Sequence, residues 1–88
     1  MKLIVHPRIQ QRHPRIRPRD VAIAWLNRHT MVEREYTDPT QFVALGWDGK
    51  ARELEMVAVM NDQDEVLIFH ALTPPTHNTL KELGIIRR

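Results

Sequence analysis

Eighty-eight residues suffice for one modest hydrophobic core, so the chain is expected to be a single domain over 1–88, and 42% apolar with 27% charged residues fits a folded, soluble protein. The absence of cysteine excludes disulfides, thiolate zinc sites and cysteine nucleophiles together. The net charge of +2 hides an imbalance: residues 1–30 carry seven Lys/Arg against one acid and residues 31–88 six against ten, which points to an anionic partner, either nucleic acid or an acidic protein.

In chain order, Lys2 to Val5 is a short apolar run that reads as an edge strand and stops at Pro7, which cannot donate to a ladder. Residues 6–19 write the pattern His-Pro-Arg-Ile-x-x-Arg twice, but the two prolines meet different needs. Pro7 suits the first turn of a short helix to Arg12, and Pro14 ends that helix because the residue before proline is pushed out of the helical region. After a connector at Arg15 to Arg17, Pro18 opens a second helix. Asp20 favours its positive end, and Val21, Ala22, Trp25 and Leu26 form an apolar stripe; the helix is predicted to end near Arg28 or His29.

From Thr30 the pattern is that of strands. Met31 to Thr37 alternates, Asp38-Pro39 turns, and Gln41 to Trp47 is strongly strand-like. Asp48-Gly49 makes a tight turn into Arg52 to Met60, and Asn61 to Asp64 turns again into Glu65 to Leu72. Thr76 can cap a helix from His77 to Leu83, with Gly84 placed to end it. The expected architecture is α+β: a basic helical half (1–30), an antiparallel meander (31–72) and a short C-terminal helix (76–84), with the helices on one face of a curved antiparallel sheet of about four strands. No N-terminal targeting pattern is present and no apolar run approaches about 20 residues, so a cytoplasmic location is expected and a membrane is not.

Histidine is the side chain best suited to proton transfer near neutral pH, and there are five. His6 and His13 lie in the basic segment, His29 ends the second helix, His70 lies in the last strand and His77 begins the last helix. No pair has the spacing of a metal motif, so neither a metal nor another cofactor is expected. By strict alternation His70 projects on the side of Val66 and Ile68, as a rigidly held catalytic group or as a half-buried histidine bonded to the backbone. Guanidinium groups bind phosphate through paired hydrogen bonds, which makes Arg8, Arg12, Arg15, Arg17 and Arg19, with Lys50 and Arg52 after the hairpin, candidate ligands for a nucleic-acid backbone. Trp47 is placed either to stack on a base or to cover the end of the sheet. If the helices fold beside the sheet edge, Arg12 and His13 share a cleft with Arg52 and His70, and such a cleft holds the parts for metal-free RNA cleavage.

His6, Arg12, Ile16 and Asp20-Val21, with the later succession of strand, Asp-Gly turn, long strand, short turn, strand and Thr-capped helix, give the chain a resemblance to the BrnT-like branch of the RelE superfamily of bacterial toxins. The resemblance implies a RelE-like fold, RNA cleavage, and neutralisation by a small antitoxin protein. Where BrnT-like chains usually carry Ser-Ala-Arg after the last strand, this chain has Phe69-His70-Ala71-Leu72, so His70 would stand in for the arginine. Two readings follow. One is a toxin-like endoribonuclease with Arg12 and Arg52 on phosphate and His6, His13 or His70 in proton transfer. The other is a non-catalytic domain of the same fold that binds nucleic acid, an acidic protein or a second copy of itself as a homodimer.

Overall fold

The computed structural model describes residues 2–87; Met1 and Arg88, the ends of the expected domain, lie outside them. Among the described residues the order is β1 (Lys2–Val5), α1 (Arg8–Arg12), α2 (Pro18–Leu26), β2 (Arg28–Arg34), β3 (Gln41–Trp47), β4 (Glu53–Met60), β5 (Glu65–Leu72) and α3 (His77–Glu82). The α+β class holds, but the sheet has five strands in the order β1-β5-β4-β3-β2 and is mixed, not antiparallel throughout. Strands β2 to β5 form the meander that the turns demand. The correction comes from β1, which pairs parallel with β5 from Lys2↔Glu65 to Val5↔Ile68. No turn links these two strands, so their pairing rests on the ladder itself and on contacts between residues far apart in sequence.

Both faces of the sheet are apolar because the strands alternate two apolar sets, and the helices are therefore not confined to one face as expected. Ala44, Leu54, Met56, Val66, Ile68 and Ala71 face α1 and α2, which contribute Ile9, Val21, Ala24 and Trp25, with Ile16 from the turn between them. Val43, Leu45 and Val57 project the other way, against Leu80 and Leu83 of the C-terminal segment. Trp25 and Val21 are fully buried, as the stripe predicts, but Leu26 is 66% exposed because α2 ends there. The helix lies directly on β3: a Cβ on Gly46 would sit 1.9 Å from the Ala24 carbonyl oxygen. The chain turns into β2 at Arg28, three residues before the predicted strand, and a bulge at His29 shifts the register.

The turns are held by side chains. Asp48 Oδ1 accepts from the N–H groups of Lys50 and Arg52 at 2.8 and 2.9 Å, and Asn61 Oδ1 accepts from those of Gln63 and Glu65. Thr76 caps α3, and Gly84 follows its end at φ 75°, a conformation that favours glycine. No helix among the described residues is long and apolar enough to cross a membrane.

Candidate functional site

The site begins with an irregularity in β5. Val57 pairs with His70 but Ala58 pairs with Ile68, so Phe69 is an extra residue in the ladder. The bulge breaks the alternation, and Phe69 and His70 both project on the α3 face of the sheet. Phe69 packs with Val43, Leu45 and Val57. His70 meets Glu55 of β4, its Nε2 lying 2.8 Å from Oε2. This corrects the expectation that His70 shares a side with Val66 and Ile68, which remain in the opposite core. It also replaces the expected backbone partner with a carboxylate.

The parallel β1 supplies the neighbouring group. Leu3 and Val5 point into the α1/α2 core, so His6 falls on the other side, next to β5, with its N–H bonded to the Ile68 carbonyl at 2.9 Å. Pro7 then turns the chain into α1, where Arg8 and Arg12 stand four apart on one face. Together His6, Arg8, Arg12, Arg34, Glu55, Val57, Phe69 and His70 line a cleft of about 420 Å³. Neither the Arg8 nor the Arg12 guanidinium is paired with a carboxylate among the described residues.

Glu55 is 5% exposed yet ionised. Burial alone would raise its pKa, but hydrogen bonds from His70, Thr76 and Thr79 outweigh it and lower the value from 4.5 to about 2. Its second oxygen accepts from the Thr76 N–H at 2.6 Å, so one carboxylate fixes both the start of α3 and the ring of His70. A carboxylate with that pKa only accepts, which places the His70 hydrogen on Nε2 and leaves the lone pair on Nδ1. His6 has the same tautomer but is held by its other nitrogen: Nδ1 accepts from the Arg8 N–H at 3.0 Å, so the ring's hydrogen is on the unengaged Nε2. Arg34, on the far wall, is engaged in structure. Its guanidinium spans both oxygens of Glu82 at 2.6 and 2.8 Å and reaches Gln41, which holds Glu82 below its ordinary pKa and docks α3.

The structure thus brings His6, Arg8, Arg12 and His70 together. His13 lies beside them, in an adjoining depression shared with Arg8, Arg12, Phe69 and His70, and its ring bonds to no described residue. Arg52 does not line the His70 cleft but a neighbouring depression that it shares with Arg12, His13 and Arg15. Its guanidinium donates to Asp48, Asp20 and the Arg15 carbonyl at 2.8, 3.2 and 3.0 Å. For both acids burial works against ionisation, and hydrogen bonds prevail over it. Backbone N–H groups and the Arg52 guanidinium hold Asp48 below the usual range, and the Arg17 N–H with Lys50 and Arg52 does so for Asp20. Lys50 reaches Asp20 at 3.4 Å, while Arg15, Arg17 and Arg19 are exposed. Trp47 is 48% exposed at the end of β3, away from the cleft. His29 bonds to Glu53 and Thr30, and His77 is exposed at the start of α3.

Two site residues, Glu55 and Arg34, carried no catalytic signal in the sequence; the one available clue was an acid at position 55 between apolar neighbours that strand alternation buries. Among the described residues no group of three or more His, Cys, Asp or Glu side chains is placed to hold a metal ion. The cleft and its adjoining depression offer an imidazole held by an ionised carboxylate, a second imidazole with Nε2 unengaged, a third whose ring bonds to no described residue, and two guanidiniums with no carboxylate partner among the described residues. Comparison with protein-family models, curated proteins and solved structures finds no match to this chain.

Proposed function

We propose that the protein is a toxin-like endoribonuclease that cleaves RNA by acid–base catalysis, with a RelE-like fold of the BrnT type. The observation that carries the reading is the Glu55–His70 pair facing the unpaired Arg8 and Arg12 across one cleft. His70 Nδ1 takes the proton of a ribose 2′-hydroxyl as its oxygen attacks the adjacent phosphorus. Arg12 and Arg8, with the Nε2–H of His6, bind the phosphate oxygens on which charge develops. The bond to the 5′-oxygen of the next nucleotide breaks, and protonated His13 supplies the proton to it, because its ring is not committed to another bond. The products are a 2′,3′-cyclic phosphate and a 5′-hydroxyl, and both rings return to their starting states by exchange with water. Glu55 touches no substrate: it positions His70 and stabilises the imidazolium. On this reading the protein acts in the cytoplasm, and a small acidic antitoxin covers the arginines.

The test joins growth and chemistry. Expression should arrest growth, and purified protein should release 2′,3′-cyclic ends from free or ribosome-bound RNA, with His70→Ala slowing cleavage about 10²-fold or more. RNA left uncut in both forms, together with unimpaired growth, would overturn it. A non-catalytic nucleic-acid-binding role is favoured by a different observation, the exposure of Arg15, Arg17 and Arg19 outside the cleft. It requires salt-dependent RNA binding without turnover.

A further inference from the structure

The cleft does not end at His70. The adjoining depression shares Arg8, Arg12, Phe69 and His70 with it, and a third, of about 520 Å³, shares Arg12 and His13 with the second and continues past Arg15 to Arg52 and Thr73. The three depressions follow one another around the C-terminal end of α1, each sharing lining residues with the next. The far part is built rather than loose. The Ile16 N–H bonds to the His13 carbonyl at 2.9 Å, closing a four-residue turn with Pro14 at its second position, where the fixed φ suits it. Ile16 is buried beneath that turn, at 3% exposure. Arg52 clamps the Arg15 carbonyl from below while its charge is answered by Asp48 and Asp20. The Arg15 guanidinium is therefore presented from a rigid turn, with no carboxylate partner among the described residues.

We infer that the three depressions are a track for an extended single strand, with a definite polarity. The nucleotide that supplies the attacking 2′-hydroxyl sits in the His70 cleft, with its base against Phe69, and the strand on its 3′ side runs past His13 to place a downstream phosphate on Arg15. The direction follows from the chemistry, because the leaving 5′-oxygen belongs to the downstream nucleotide and His13 lies between the cleft and Arg15. A duplex cannot follow this path, since the base that meets Phe69 must be unstacked. The inference rests on the reaction proposed above, and Arg52 enters it as a positioning residue that holds the turn.

Amide-resolved NMR titration of the full chain tests it, using uncleavable oligodeoxythymidylates of one to four nucleotides at low salt. The mononucleotide should shift amides around Arg8 to Arg12 and Phe69 to Ala71. The trinucleotide should also shift those of Arg15 and Ile16 and bind about tenfold more tightly, from about two added phosphate contacts. Arg15→Ala should weaken the trinucleotide about fivefold more than the mononucleotide. A nitroxide on the 3′ end of the trinucleotide should broaden Arg15 and Ile16 more than one on the 5′ end. The track is wrong if added length neither tightens binding nor reaches residues 15 and 16, and its polarity is wrong if the 5′ label broadens them more. If RNA is cleaved and the track results fail, or if no length binds, the track is wrong and the catalytic reading stands without it; RNA left uncut in both free and ribosome-bound form defeats both.

Discussion

Replacing Glu55 by Gln isolates the charge of the group that joins α3 to His70. The variant keeps nearly the same shape and can still accept from the Thr76 N–H, but it cannot ionise. The native fold lowers the Glu55 pKa from 4.5 to about 2. A drop of that size is worth about 3 kcal/mol of folding stability once the group is ionised in both states. The sign follows from the direction of the shift. Because the folded pKa lies below the unfolded one, this stability is complete above about pH 5 and is lost as the pH falls through 4.5 towards 2. Glu55→Gln should therefore cost about 2–3 kcal/mol at pH 7, the lower figure allowing for the retained bond to Thr76. That corresponds to a fall in Tm of roughly 10–20 °C for a domain of this size.

Urea unfolding followed by tryptophan fluorescence at pH 7, 5, 4 and 3 measures this, since Trp25 is fully buried and reports loss of the core. The gap between the two proteins should stay constant from pH 7 to about 5 and shrink to less than half its value near pH 3. Asp20 and Asp48 are also held below their ordinary pKa values, but they titrate in both proteins and cancel in the difference; Glu82, also lowered, feels the Glu55 charge and cancels only in part. A gap under about 1 kcal/mol at pH 7, or one unchanged down to pH 3, would refute the reasoning.

Three other substitutions probe the supports of the site. Arg52→Leu leaves the Asp48 and Asp20 carboxylates without their shared guanidinium and should cost about 3 kcal/mol in urea unfolding; a loss below about 1 kcal/mol would contradict the clamp. Gly46→Ala forces a Cβ to within 1.9 Å of the Ala24 carbonyl oxygen, so α2 must lift from β3. It should lose about 3 kcal/mol or more by the same assay, and an unchanged Tm would show that the helix sits farther away. Arg34→Ala breaks the bidentate pair with Glu82, which is partly exposed and worth only about 1 kcal/mol. Hydrogen exchange of the α3 amides should accelerate about fivefold while amides of β4 hold their rates, and equal acceleration in both would mean that α3 does not open by itself.

How much of this was legible depended on how local the cause was. The meander from Gln41 to Leu72 follows from Asp48-Gly49 and Asn61 to Asp64, whose side chains and spacing act within a few residues, and β3 and β5 fall where the sequence places them. Thr76 and Gly84 likewise bound α3 as their chemistry dictates. The parallel pairing of β1 had no such marker, because a four-residue apolar strand can join either edge of a sheet and nothing near it in sequence selects one. The Phe69 bulge was hidden for a different reason: Val66 to Leu72 is apolar apart from His70, and a one-residue slip in an apolar run leaves no break in the pattern. The engagement of Arg52 was not legible from charge, since composition counts a guanidinium as available whether or not two buried carboxylates already hold it.

These two non-local features together bear on whether the Glu55–His70 pair is structural or chemical. Burying a carboxylate carries a desolvation penalty that its hydrogen bonds must offset, and a hydrophobic residue of similar volume would ordinarily stabilise such a position as well or better. Capping α3 does not account for it, because a neutral amide oxygen suffices to accept from the Thr76 N–H. In the proposed reaction the carboxylate would answer a partner that becomes positively charged, and the bulge at Phe69 places an imidazole there while β1 places His6 beside it. Were Glu55 only a structural acceptor, Glu55→Gln would lower stability and leave the pH dependence of the proposed RNA cleavage unchanged. Were it the partner of a transient imidazolium, the same variant would slow cleavage and move its pH dependence even at temperatures where both proteins are fully folded.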